Sequence, residues 1–153
     1  MQLIAAHSQD RLHSIRELFR EYADSLELDL CFQNFQDELA TLPGKYAPPA
    51  GRLLLALDGE AVAGCVALRP IDPQIAEMKR LYVRPAFRRK GTGKLLAQTI
   101  IEEARRIGYA RIRLDTLATM PKAISLYRSL GFGDIPAYYD NPSGSAKFME
   151  LKL

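Results

Sequence analysis

One stretch constrains the fold more than any other. An apolar strand pattern over residues 75–83 runs through a basic loop into a long helix pattern that opens at Gly91. The loop and helix start read Arg84-Pro85-Ala86-Phe87-Arg88-Arg89-Lys90-Gly91-Thr92-Gly93-Lys94. The first N–H groups of a helix have no partners inside it, and the helix dipole turns its positive end the same way. Glycine at 91 and 93 lets a ligand approach the backbone. Basic side chains add charge-assisted hydrogen bonds. Together these features describe a pyrophosphate site. Gly93-Lys94 fits part of a P-loop, but Arg88 stands where that pattern needs glycine and Leu95 where it needs Ser or Thr. The dinucleotide fingerprint needs three glycines at wider spacing. A nucleic-acid patch would leave the glycines without a purpose. Taken alone, the stretch also fits a helix start with a solvated basic face.

The rest of the chain places this unit in a mixed sheet. Residues 3–5 form a short strand, and Ser8 is positioned to cap the helix carrying Leu12, Ile15, Phe19, Tyr22 and Leu26. Phe32, Phe35, Leu39 and Leu42 outline a second helix that stops at Pro43-Gly44. Strands follow at 53–57 and 61–68, joined by the hairpin signal Asp58-Gly59. After the helix that ends at Gly108 come a strand at 111–114 and a helix at 121–130. The tail is β-like around Tyr138 and over 147–151. Hairpin-linked strands precede a crossover helix, so antiparallel and parallel pairs share one sheet.

With 153 residues and no linker or repeat, one domain over residues 1–153 is expected. Hydrophobic residues at 48% and charged residues at 25% exclude a disordered chain. The apolar runs are too short to span a bilayer, and the first residues lack a secretory pattern. Cys31 and Cys65 make no disulfide framework, and His7 and His13 make no metal spacing. The cytoplasm is the expected compartment. Charge is segregated along the chain. Residues 79–94 carry seven bases and no acid, while residues 17–38 carry seven acids against Arg20. One segment suits an anion and the other a cation.

Two motifs together resemble the GNAT acetyltransferases. Leu81-Tyr82-Val83-Arg84-Pro85 leads to Arg88, Gly91 and Gly93, which fit the family's Arg/Gln-x-x-Gly-x-Gly/Ala loop. Downstream, Ala123-Ile124-Ser125-Leu126-Tyr127-Arg128-Ser129-Leu130-Gly131-Phe132 is similar to its second motif, a helix bearing Tyr and closing on Leu-Gly-Phe. The resemblance implies an α/β (α+β) fold with a mixed, mostly antiparallel seven-strand sheet. That sheet would splay between the fourth and fifth strands and carry about four helices. It also implies acetyl-CoA as cosubstrate, no metal, and direct N-acetyl transfer to a primary amine in a ternary complex. A silent CoA-binding sensor and transfer of a longer acyl group are the alternatives.

The resemblance assigns residues as well. Pantetheine would pair with backbone around Leu81 and Val83, and amides near Leu81 and Tyr82 would polarise the thioester. The pyrophosphate would rest on residues 89–94, so Arg88, Arg89, Lys90, Gly91, Thr92, Gly93 and Lys94 are expected to bind the cofactor. Tyr127 is the expected general acid for the departing thiolate, and Glu77 the expected general base. Strand alternation puts Glu77, Lys79, Leu81 and Val83 on one face unless a bulge intervenes. Many relatives carry Asn shortly after the 111–114 strand, and here Asp115, Thr116 or Thr119 would replace it. Asp29, Phe32, Phe35, Tyr46, Tyr138 and Asn141 are the expected acceptor contacts, because carboxylates beside rings suit an amine. The expected partner is a small-molecule or protein amine, without nucleic acid or membrane. A homodimer is compatible with all of this.

Overall fold

The computed structural model describes residues 1–26 and 34–153. Asp29, Phe32 and Cys31 lie outside the described residues. Seven strands form one sheet: β1 (Gln2–Ala5), β2 (Arg52–Asp58), β3 (Ala61–Pro70), β4 (Ile75–Val83), β5 (Arg111–Leu117), β6 (Gly133–Ile135) and β7 (Ala146–Lys152). Their spatial order is β1-β2-β3-β4-β5-β7-β6. Only β4 and β5 pair in parallel; the other neighbours are antiparallel. Among the described residues there are four α-helices, α1 (Gln9–Ser25), α2 (Phe35–Thr41), α3 (Thr92–Ile107) and α4 (Pro121–Ser129). No helix of the described residues is long and apolar enough to cross a membrane.

Alternation along the strands builds two cores. Leu53, Leu55 and Leu57 of β2, with Cys65 and Ala67 of β3, pack on Leu12, Ile15, Leu18 and Phe19 of α1. Leu54, Ala56, Val66 and Leu68 point the other way, onto Leu96, Ala97, Ile100 and Ala104 of α3. Burying each large aliphatic side chain contributes about 1.5–3 kcal/mol. The central strands are covered on both faces, so they read as nearly continuous apolar runs.

Three details differ from the expectation drawn from sequence. Ser8 occupies the N-cap position, but its hydroxyl donates to Asp10 Oδ1 at 2.6 Å and makes no backbone cap. The sixth strand is Gly133–Ile135, ahead of Tyr138, because it pairs with Phe148 to Glu150 of β7. β5 continues past Leu114 to Leu117, since β7 stays hydrogen-bonded along that whole length.

Two features of β4 create the site. Ala67 pairs with Lys79 and Cys65 with Tyr82, so two steps along β3 match three along β4. The extra residue is Arg80, with φ of 60°, and it forms a β-bulge. Ala76 and Met78 face α3 before the bulge, and Leu81 and Val83 face it afterwards. Glu77 and Lys79 therefore lie on the α1 side, opposite Leu81 and Val83. This corrects the same-face expectation, by the one exception it allowed. Secondly, β4 pairs with β5 only from Ile75 to Glu77. Beyond Glu77, β4 follows β3 and β5 follows β7, and the sheet opens between them.

Candidate active site

A cavity of about 670 Å³ occupies the opening. One wall is β4, through Leu81, Tyr82 and Val83, and the other is β5 with α4, through Asp115, Thr116 and Tyr127. Gly91, Thr92 and Gly93 at the start of α3 close one end, with Arg88 and Arg89.

The α3 end is built for an anion. Gly91 is the N-cap at φ of 78°, a conformation that costs other residues roughly 1–2 kcal/mol. The first helical bond runs from Leu95 N–H to Gly91 O at 3.0 Å. The N–H groups of Thr92, Gly93 and Lys94 therefore have no acceptor within the helix. The Thr92 hydroxyl is buried with no hydrogen-bond partner among the described residues. A Cβ at Gly93 would stand 3.8 Å from Val83 and 4.0 Å from Leu126, ordinary contacts. No atom of a described residue demands glycine there, and its absence of side chain keeps the helix mouth open.

The structure sorts the seven bases of residues 79–94. Arg84 bonds Glu21 at 2.7 Å and Glu17 at 3.4 Å on α1. Arg80 makes a two-pronged pair with Glu38 of α2, at 2.9 and 3.0 Å. Lys79 reaches Asp115 across the gap at 3.2 Å. The acidic and basic segments thus partly neutralise each other inside the fold. Arg88 donates to Val83 O at 2.9 Å, which folds the loop back on β4. Arg89 and Lys90 have no ion-pair partner among the described residues and stay with the loop. Lys90 lies over Phe87 and, like Lys94, is exposed and off the cavity wall.

Tyr127 lies on the cavity wall and is otherwise buried. Gly131 at φ of 103° turns the chain after α4, and Phe132 then packs edge-on against the Tyr127 ring, centroids 5.9 Å apart. The Leu-Gly-Phe closure is thus the device that seats this tyrosine. Its hydroxyl makes no hydrogen bond to a described residue. Burial, with the nearby Tyr22 and Asp115, holds its pKa well above the usual phenol value, so it remains protonated.

Glu77 is placed elsewhere. Its side chain is 3% exposed and does not line the cavity. One oxygen accepts from Arg69 at 2.9 Å and the other from the Tyr138 hydroxyl at 2.6 Å. It sits where β4 and β5 are still paired, before the sheet opens. The carboxylate that the structure does bring to the cavity is Asp115, bonded to Lys79 and to the Tyr139 hydroxyl at 2.6 Å. Burial raises its pKa, but Lys79 and Tyr139 outweigh this and hold it below the ordinary value.

The expected acceptor contacts divide. Asn141 lines the cavity and donates to the Tyr139 hydroxyl at 2.9 Å. Tyr138 is turned to Glu77, and its ring packs on Phe148. Phe35 and Tyr46 are buried in the α1-side core, away from the cavity. Arg80 stacks over Phe35 at 5.3 Å, which accounts for that ring. Asp29 and Phe32 lie outside the described residues. Asp115 and Thr116 line the cavity near the position of the missing asparagine, whereas Thr119 does not.

Residues 12–132 match the acetyltransferase (GNAT) family. The chain belongs to the GNAT acetyltransferases. It is 43% identical over 144 residues to an uncharacterised N-acetyltransferase of Schizosaccharomyces pombe, a match covering 93% of this chain and 88% of that one. A second relative, an uncharacterised N-acetyltransferase of Dictyostelium discoideum, is 32% identical and covers 94% and 95%. In fold, this GNAT chain superposes on an acetyltransferase from Streptococcus agalactiae with a TM-score of 0.81 at 21% identity, covering 99% and 98%. A Salmonella typhimurium neighbour, yncA, solved with acetyl-CoA, gives a TM-score of 0.69 at 23% identity and covers 99% and 93%. The unpartnered N–H groups at the start of α3, the buried Thr92 hydroxyl without a partner among the described residues and the open Gly93 position leave donors and space for an anionic group.

Proposed function

We propose that the protein moves an acetyl group from acetyl-CoA to a primary amine by direct transfer. The carrying observation is the opening between β4 and β5, which joins the unpartnered N–H groups of α3 to the protonated Tyr127 hydroxyl. The amides of Thr92, Gly93 and Lys94 would hold the pyrophosphate, with Arg88 and Arg89 flanking it. The β4 edge at Leu81 and Val83 would align the pantetheine, and acetyl-CoA would supply the activated thioester. The amine nitrogen bonds to the thioester carbon as the C–S bond breaks. Tyr127 gives its proton to the sulfur, and the proton lost by the amine passes to solvent and restores the hydroxyl. Amine and acetyl-CoA thus become amide and CoA thiol. Glu77, engaged with Arg69 and Tyr138, is not asked to act as base.

The test is amine-dependent thiol release from acetyl-CoA, with acetyl-CoA affinity measured by calorimetry on the same preparation. Tyr127→Phe should bind acetyl-CoA normally and lose about 100-fold in kcat, the low end for a general acid because a thiolate leaves readily. An unchanged kcat would remove Tyr127 from the chemistry. Absence of acetyl-CoA binding would sink the proposal.

A further inference from the structure

The charges on the cavity wall narrow the acceptor. Among the described residues, Asp115 is the one carboxylate lining the cavity, beside Lys79 and Arg80. Glu38 and Glu77, which balance Arg80 and Arg69, stand behind the wall and do not line it. A polyamine or aminoglycoside brings several ammonium groups. Among the described residues it would meet one wall carboxylate, already paired with Lys79, beside the nearly buried Arg80, and like charges repel strongly where water is scarce.

A zwitterion meets a different field. Lys79 and Asp115 face each other across the gap at 3.2 Å, with side chains 4% and 14% exposed. An ionised carboxylate has about four lone-pair positions. Asp115 accepts from Lys79 on one oxygen and from Tyr139 on the other, which leaves acceptor capacity for an ammonium. An ammonium on Asp115 carries an anionic group of the same molecule toward Lys79. The two dipoles then lie head to tail, so that every charge neighbours its opposite. Asp115 and Tyr127 line the same wall of the cavity. An amine docked there is on the reacting side of the cavity.

We propose that the acceptor is a small zwitterionic amine of the amino-acid type, with its ammonium on Asp115 and its carboxylate on Lys79; the ammonium gives one proton to solvent before its nitrogen attacks the thioester. This rests on the acetyl-transfer function proposed above. Calorimetry with acetyl-CoA comes first, and failure to bind defeats both proposals. With binding established, thiol release is compared for the standard amino acids, their carboxamides, their decarboxylated amines, spermidine and kanamycin. At least one amino acid should exceed its own carboxamide in kcat/KM by about tenfold or more, the scale of a charged hydrogen bond. Lys79→Met should bring that ratio toward one, and Lys79→Arg should restore part of it. Three results would overturn the zwitterion assignment alone. They are equal rates for acid and amide, preference for spermidine or kanamycin, and no turnover of any amino acid while another amine is acetylated; binding with no turnover of any amine would defeat both proposals. The acid-to-amide comparison is made on the unaltered protein, so it stands even if a variant fails to fold.

Discussion

Glu38→Ala should unfold this protein far more readily than a surface charge change would. Arg80 is 2% exposed and bonds both oxygens of Glu38, itself 11% exposed, at 2.9 and 3.0 Å. Two unit charges about 2.9 Å apart attract by about 6 kcal/mol at an effective dielectric of about 20. Desolvation of the guanidinium opposes this while the pair is intact. Removal of Glu38 leaves that cost uncompensated, apart from cation–π contacts to Tyr22 at 5.8 Å and Phe35 at 5.3 Å. Those contacts contribute about 0.5–2 kcal/mol each. A loss of about 3–5 kcal/mol is expected, as for other broken buried pairs. At about 2–4 °C per kcal/mol for a chain of this size, Tm should fall by about 6–20 °C. Urea unfolding followed by circular dichroism gives the same quantity independently. The double variant Glu38→Ala with Arg80→Met removes the orphaned charge and should recover most of the loss. A single-variant cost below about 1 kcal/mol would refute the argument, since a solvated surface pair gives that much. So would a double variant no more stable than the single.

Three further outcomes follow from the site. Gly93→Ala should leave Tm unchanged or raise it, since alanine gains up to about 1 kcal/mol over glycine in a helix. Its new Cβ meets only ordinary contacts, yet acetyl-CoA affinity by calorimetry should drop; equal affinity would mean the ligand does not approach there. Asp115→Asn should lower Tm at neutral pH, and the gap should narrow as pH falls below 3.8 and through the depressed folded-state pKa of Asp115. The folded-state pKa of Asp115 is depressed, so its stabilisation is present above the unfolded value and disappears as pH falls through the folded one. A Tm gap that widens toward acid contradicts that sign. Tyr127 has its pKa raised above the ordinary 10.0, so kcat should show no fall attributable to it between neutral pH and about pH 10. A drop in that range, present in the parent and absent in Tyr127→Phe, would show that the hydroxyl titrates normally.

Much of the architecture was legible because each local signal had a single physical meaning. Pro85, Gly91 and Gly108 marked where β4 ended and where α3 began and ended. The period of two in β2 and β3 separated the faces that now pack on α1 and α3. The loop motif and the Tyr127 helix were legible as two ends of one site, and the cavity joins them. The fate of individual charges was not legible. Arg80 and Arg84 counted among the bases of a segment suited to an anion, yet they answer Glu38 and Glu21, more than forty residues away in the chain. Pairings of that length depend on how helices dock, which no local pattern encodes. Phe35 and Tyr46 misled for the same reason, since an aromatic ring fits a core as well as a pocket.

The bulge at Arg80 ties these points together. Without it, alternation would carry Glu77, Lys79, Leu81 and Val83 along one face of β4, and the strand could deliver a carboxylate to the face that lines the cofactor wall. With it, the strand changes face in one step. Glu77 and Lys79 look toward α1 and β5, while Leu81 and Val83 look toward α3. A large non-glycine residue held at φ of 60° carries strain of about 1–3 kcal/mol. That strain persists because Glu38, Tyr22 and Phe35 hold the Arg80 side chain from the other side. The same residue that unpairs β4 from a regular ladder also anchors α2 to the sheet. Charge on the acceptor wall and backbone on the cofactor wall thus come from neighbouring residues of one strand. The ionic group facing the gap is consequently the Lys79–Asp115 pair, and Glu77 is withdrawn behind it.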